Sequence, residues 1–292
     1  MTFGSIELQH TDELDIVASL QSGQMFRFVL QPDGWITTTQ GADTLALRQD
    51  GAIIDFITSR SNGAEYVQEF LRLEDLSLRE MALTWGMNPL YKAAWNQQTG
   101  VRILSQDPHE CLFSFLCASA APIQRISKMM SLLTEKHGTQ VDDLYTLFPT
   151  LEQLLSVSEN NLRTYGFGFR APRIVAAARW IADTGNTPER LRVMTYRDLV
   201  ETLTEIKGCG QKIADCIALF AYGHDQAVPI DTHIWKLAKS GFAPELNGLS
   251  LTSKTYKIAA DSFVNHFGKH AGWAQQILFY QSVNGKKQTI AT

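Results

Sequence analysis

The chain has 292 residues, 45% of them hydrophobic and 19% charged, with a formal net charge of −4 and a pI near 6.0. That balance suits a globular protein with one or two cores and carries no global sign of a nucleic-acid partner, although its 26 Lys and Arg can form a local basic face, with Arg125, Arg170, Arg173, Lys207 and Lys236 as candidates. It contains neither an apolar run of about 18 residues nor a charged-then-apolar leader, so membrane spanning and secretion are not expected.

The first sixty residues read as strands. Apolar and polar residues alternate through Phe26–Ile57, with turn signals at Pro32-Asp33-Gly34 and Asp50-Gly51. Leu45 and Leu47 against Thr44, Ala46 and Arg48 is a period of two, which predicts an antiparallel sheet with one packed face. From about Ala64 the pattern turns helical and stays so, with Pro or a short polar cap at many starts and Gly at many ends. The predicted fold is α+β: an amino-terminal sheet domain with flanking helices over 1–95, then a helical body over 96–292. Cys111, Cys117, Cys209 and Cys216 have no CxxC spacing, and the last 76 residues hold no cysteine. A structural zinc or iron–sulfur cluster is not expected, and unpaired thiols fit a reducing cytoplasm.

The segment over 198–223 reads as helix, hairpin, helix, hinged on Gly208 and Gly210. Glycines permit positive φ and close approach, and a helix start offers free N–H groups to phosphate. Lys212 falls in the first turn of the second helix, where a cation is poorly placed. A helix start and partial burial both disfavour the charged form, and a neutral amine is a nucleophile. The alternative is an ion pair of Lys212 with Asp215 or with a phosphate. Lys212 and Cys216, four apart, share one face. The following loop, 224–233, ends at Asp231, which reads either as a helix N-cap or as a carboxylate that capping fixes at the mouth of a site.

These residues carry a family resemblance. The hairpin and the Pro/Asp loop resemble the helix–hairpin–helix DNA glycosylases. "LQSGQMFRF", "GVRILSQDPHECLFSFLCAS", "YGFGFRAPRIVAAAR", "GCGQKIADCIALFA", "VPIDTHIWKLA" and "AGWAQQILF", in that order, resemble the 8-oxoguanine DNA glycosylase/lyases within that superfamily. The resemblance implies that Lys212 attacks C1′ of the damaged nucleotide and forms a Schiff base, while Asp231 stabilises positive charge on the sugar. It implies that the Gly23 carbonyl accepts the hydrogen on N7 of the lesion, that Cys216 and Phe279 sandwich the extruded base, and that Gln275 reads its Watson–Crick edge. Phe169 and Arg170 would be the wedge and the contact to the opposite base, and His233, Gly208 and Gly210 would meet the backbone. The implied partner is double-stranded DNA containing 8-oxoguanine, bound by a monomer without metal or organic cofactor, cytoplasmic and nucleoid-associated if bacterial. Gln275 and Phe279, at i and i+4, can face one pocket on residue spacing alone.

The chain departs from the family pattern after "LCAS". Eukaryotic members carry asparagines there, one touching the opposite cytosine; here the residues are Ala120, Ala121 and Pro122. A weaker preference for cytosine is expected, with Arg170 carrying what remains. Three alternatives are disfavoured. Monofunctional alkylbase glycosylases lack the hairpin lysine. The pyrimidine-lesion and adenine-mismatch branches usually carry a carboxy-terminal iron–sulfur cluster. A non-catalytic DNA-binding protein of this fold would not need Gly23, Lys212, Asp231, Gln275 and Phe279 together.

Overall fold

The computed structural model describes residues 1–288; the end of the "GKKQTIAT" tail, too short to read as a nuclear signal, lies outside the described residues. Five strands form one antiparallel sheet: β1 (Thr2–Glu7), β2 (Val29–Leu30), β3 (Ile36–Gln40), β4 (Asp43–Asp50) and β5 (Ile53–Thr58), in the order β1-β5-β4-β3-β2. Leu45 pairs with Thr58 and Leu47 with Phe56, so the alternating apolar residues of β4 and β5 align on one face. That face joins Val67, Phe70 and Leu71 of the helix Gly63–Leu71 in one apolar cluster. A mostly helical body follows, as the α+β expectation requires. Among the described residues, no helix is long and apolar enough to cross a membrane.

Two local readings differ. A helix spans Ile16–Gln21 inside the stretch read as strands. Asp15 caps it by accepting the Ala18 N–H at 2.8 Å, and Ile16 and Leu20, one turn apart, bury on the sheet cluster. Six residues are too few to display a helical period. The body also contains a small antiparallel pair, Thr139–Gln140 with Thr146–Leu147.

Leu78, Trp85, Tyr91 and Ala94, which lie before residue 96, pack in the apolar cluster of the helical body. Arg102, 1% exposed, fastens the two parts together. Its guanidinium donates to the carbonyls of Leu71 (3.0 Å) and Leu76 (2.7 Å) and to the Glu13 carboxylate (3.3 Å), and it lies over the Trp273 ring, 5.2 Å from its centroid. A buried guanidinium needs this many acceptors, because each unpaired donor there would cost free energy.

Candidate active site

The helix Gln211–Tyr222 is apolar nearly all round and packs between Tyr196–Thr204 and Pro108–Leu116. Its cap, Gly210, offers no side chain, and its carbonyl accepts the N–H groups of Ile213 and Ala214. The N–H groups of Gln211 and Lys212 have no carbonyl one turn earlier to bond, and so point out of the helix start. The two hairpin glycines differ in their reasons. Gly208 has φ +92°, and a Cβ there would meet Arg173 Cδ at 2.5 Å. Gly210 has an ordinary φ of −87° with open space around it, which leaves room for a partner's backbone.

Lys212 is half-buried. Its ammonium lies 5.6 Å from the Phe115 ring centroid, and no carboxylate comes within ion-pairing distance among the described residues. Asp215 is occupied elsewhere: it accepts from the Tyr196 hydroxyl (2.7 Å), the Gln211 amide (3.0 Å) and the Tyr256 hydroxyl (2.5 Å). Burial pushes the Asp215 carboxyl up to about 6, against the pull of these donors and of Lys212. The Tyr256 oxygen also accepts the Ile230 N–H at 3.1 Å, tying the hairpin helix to the residue before Asp231. Burial likewise pushes the Cys216 thiol up to about 11, so at neutral pH its sulfur is an uncharged, polarizable surface.

Asp231 caps the helix Thr232–Leu237, with Oδ1 accepting the N–H groups of His233 (2.9 Å) and Ile234 (2.8 Å). The His233 side chain is exposed, edge-on to Phe279 with centroids 5.9 Å apart. Gly23 arrives from the far end of the sequence. It follows the helix Ile16–Gln21 with φ +78°, and a Cβ there would lie 3.1 Å from Ile123 and 3.3 Å from Phe279.

Gly23, Lys212, Cys216, Asp231, Gln275 and Phe279 all line one small cavity. Its volume is about 40 Å³, room for a water or two and not for a purine, so a base could enter only if a wall such as Phe279 moved. Gln275 is 3% exposed, and its Oε1 is buried without a hydrogen-bond partner. A buried amide oxygen left unpaired in a cavity wall is an acceptor waiting for a donor. The cavity adjoins a groove of about 1300 Å³ that also carries Lys212 and Asp231, together with Gly208, Gly210 and the Ser119–Pro122 turn.

The structure places the two residues of the hairpin tip differently. Phe169 is 52% exposed and projects, but Arg170 is buried at 1%. The Gly168–Arg170 turn is a single 3-10 turn leading straight into the helix Ala171–Thr184, so the cation turns inward. Its guanidinium donates to the carbonyls of Ser119 and Ala120. Ala120 has φ +50°, a left-handed conformation that is unfavourable for alanine and that these hydrogen bonds hold in place. Arg173 does line the groove, donating to Ser119 Oγ at 2.9 Å. Sequence reasoning placed Arg173 only on a general basic face and missed Phe115, Tyr256 and Gln276. The apolar spacing around Phe115 and the polar residue amid apolar ones at Gln276 were the available signals.

A family model described as 8-oxoguanine DNA glycosylase, N-terminal domain, matches residues 6–112, and one described as HhH-GPD superfamily base excision DNA repair protein matches residues 113–259. The chain is 34% identical to the N-glycosylase/DNA lyase OGG1 of Arabidopsis thaliana, over 98% of this chain and 81% of that protein. It is 30% identical to an N-glycosylase/DNA lyase of Saccharomyces cerevisiae, over 99% and 89% respectively. Among solved structures it resembles the Clostridium acetobutylicum 8-oxoguanine glycosylase/lyase in complex with double-stranded DNA containing cytosine opposite 8-oxoguanine, with a TM-score of 0.84, 25% identity, and 94% and 93% of the two chains covered.

Proposed function

Because the chain belongs to the 8-oxoguanine DNA glycosylase family of the HhH-GPD superfamily, we propose that it excises 8-oxoguanine from duplex DNA through Lys212 and then nicks the abasic strand. The observation that carries this reading is the convergence on one cavity of Gly23, Cys216, Gln275 and Phe279 with Lys212 and Asp231. The lesion leaves the duplex and enters between Cys216 and Phe279, where neutral sulfur and an aromatic ring offer two faces to a flat base. The unpaired Gln275 Oε1 accepts from the base edge. The Gly23 carbonyl accepts the N7 hydrogen that 8-oxoguanine has and guanine lacks; against guanine, carbonyl and N7 lone pair repel. A buried polar contact of this kind discriminates strongly, because the wrong ligand leaves an acceptor unpaired.

Lys212 Nζ attacks C1′, the glycosidic bond breaks, and its electron pair leaves with the base, which takes up a proton. Opening of the sugar gives the Schiff base, and β-elimination then breaks the bond to the 3′ phosphate. Asp231 stabilises the positive charge that builds on the sugar. The outward N–H groups of Gln211 and Lys212 at the helix start suit a backbone phosphate. A monomer is expected to suffice, since every group named lies on one chain.

The test is a duplex carrying one 8-oxoguanine opposite C, A, G or T. Excision and nicking are expected at the lesion and none at guanine; absence of both at 8-oxoguanine with every partner would overturn the reading. Preference for C is expected to stay below about a hundredfold, equivalent to about 2.7 kcal/mol. The turn at Ala120 has no amide, and Arg170 is spent on the Ser119 and Ala120 carbonyls. A second expectation concerns Gly23→Ala. The positive φ is unfavourable for alanine, and its Cβ would crowd Ile123 and Phe279. Excision of 8-oxoguanine should fall by about tenfold or more, as for loss of one buried polar contact, while wild-type excision rates would show that Gly23 does not meet the base.

A further inference from the structure

Two successive glutamines on the last helix face the amino-terminal segment, and they do different things. Gln275 keeps an oxygen free toward the cavity. Gln276, 2% exposed, spends its amide on Ser22, donating to the carbonyl oxygen at 3.0 Å and to the hydroxyl at 2.8 Å across 254 residues of sequence. The Ser22 hydroxyl is thereby saturated: it accepts from Gln276 and from Gln24 Nε2 (2.9 Å), and donates to the Ser19 carbonyl (2.6 Å).

The Ser22 carbonyl belongs to the peptide plane that enters Gly23. On the other side, the Gln24 side chain is fixed by the Arg102 carbonyl (2.8 Å) and the Leu104 N–H (2.9 Å). Gly23 therefore sits between two pinned neighbours. Without them a glycine is the residue most able to rotate its carbonyl away, and a recognition contact built on one carbonyl tolerates misplacement of only about 0.5 Å. Gln24 anchors the glycine to the segment that carries Arg102 and Leu104. Among the described residues, the hydrogen bonds that tie it to the helix carrying Gln275 and Phe279 come from Gln276, so that the two walls of the cavity keep a fixed relation.

We propose that Gln276 is a specificity-positioning residue: by clamping the Ser22–Gly23 peptide to the last helix, it holds the Gly23 carbonyl where it can test N7 of the extruded base. This rests on the assignment of Gly23 to lesion recognition. It predicts a split between two activities, because an abasic site has no base for Gly23 to test, whereas Lys212 still has C1′ to attack.

The experiment compares Gln276→Met, which keeps the length and apolar stem but removes the donors, with wild type and Gly23→Ala. Single-turnover excision is measured on an 8-oxoguanine duplex, and nicking on the same duplex carrying a preformed abasic site. Gln276→Met should lose about tenfold in excision, as for one buried hydrogen bond, with abasic nicking unchanged. Equal losses in both assays would mean a general defect in folding and would overturn the proposal. Unchanged excision in Gln276→Met, with Gly23→Ala impaired, would overturn the clamp and leave the glycine's assignment standing. Unchanged excision in both would remove that assignment and the clamp with it. Should Gln276→Met not fold, Ser22→Ala, which removes one of the amide's two acceptors, must show the same split, and equal rates to wild type there would overturn the proposal.

Discussion

Replacing Lys212 with glutamine should abolish the covalent adduct that borohydride traps between this protein and an 8-oxoguanine duplex, and should reduce excision and nicking by at least about a thousandfold, the scale on which removal of a nucleophile is felt. The expectation rests on how the lysine is kept. Its ammonium lies against the Phe115 face and pairs with no carboxylate among the described residues, although Asp215 is only three residues away. Tyr196, Tyr256 and Gln211 have taken that carboxylate, so the simplest structural role for the lysine, an ion pair within its own helix, is closed to it. Glutamine is a good helix former and suits a half-buried first-turn position, so the fold and binding to lesion-containing duplex should survive. A Lys212→Gln protein that still gave the trapped adduct at the wild-type level would show that another amine attacks the sugar.

What was legible in the sequence was local. The hairpin announces itself through Gly208, Gly210 and the apolar helix that follows, and Lys212 stands out because it breaks that pattern. The cap at Asp231 is a short-range signal, and the Asp231 carboxylate does accept two N–H groups of its own helix. The sheet of β3, β4 and β5 was visible in its period of two. What was hidden is the set of hydrogen bonds between distant segments. A cation beside glycines reads as exposed, yet Arg170 folds inward because the left-handed turn at Ala120 turns two carbonyls toward it, and nothing in an alanine's identity signals that turn. Tyr256 and Gln276 look like ordinary members of buried helices. Their roles depend on Asp215 and Ser22, partners 41 and 254 residues away, respectively. Gly23 is the extreme case. As a residue it says only that a turn is near, and the resemblance to a known family, not its chemistry, singled it out.

The second large effect separates two duties of one side chain. Asp231 holds its helix start with Oδ1 and lines both the cavity and the groove that also contain Lys212. Asparagine caps a helix about as well as aspartate, so Asp231→Asn keeps the first duty and removes the charge needed for the second. Alanine removes both and should cost about 1 kcal/mol of stability as a lost cap. If the carboxylate opposes positive charge on the sugar, the asparagine protein should melt near wild type and bind lesion duplex normally, yet turn over on the order of a hundredfold more slowly, the effect of losing one preorganised electrostatic contact. The melting temperature and single-turnover rate of the same preparation decide the matter. Full turnover in Asp231→Asn would leave the aspartate as a cap alone, and a large drop in melting temperature would show that the amide had not preserved the helix start against which the charge effect is to be read.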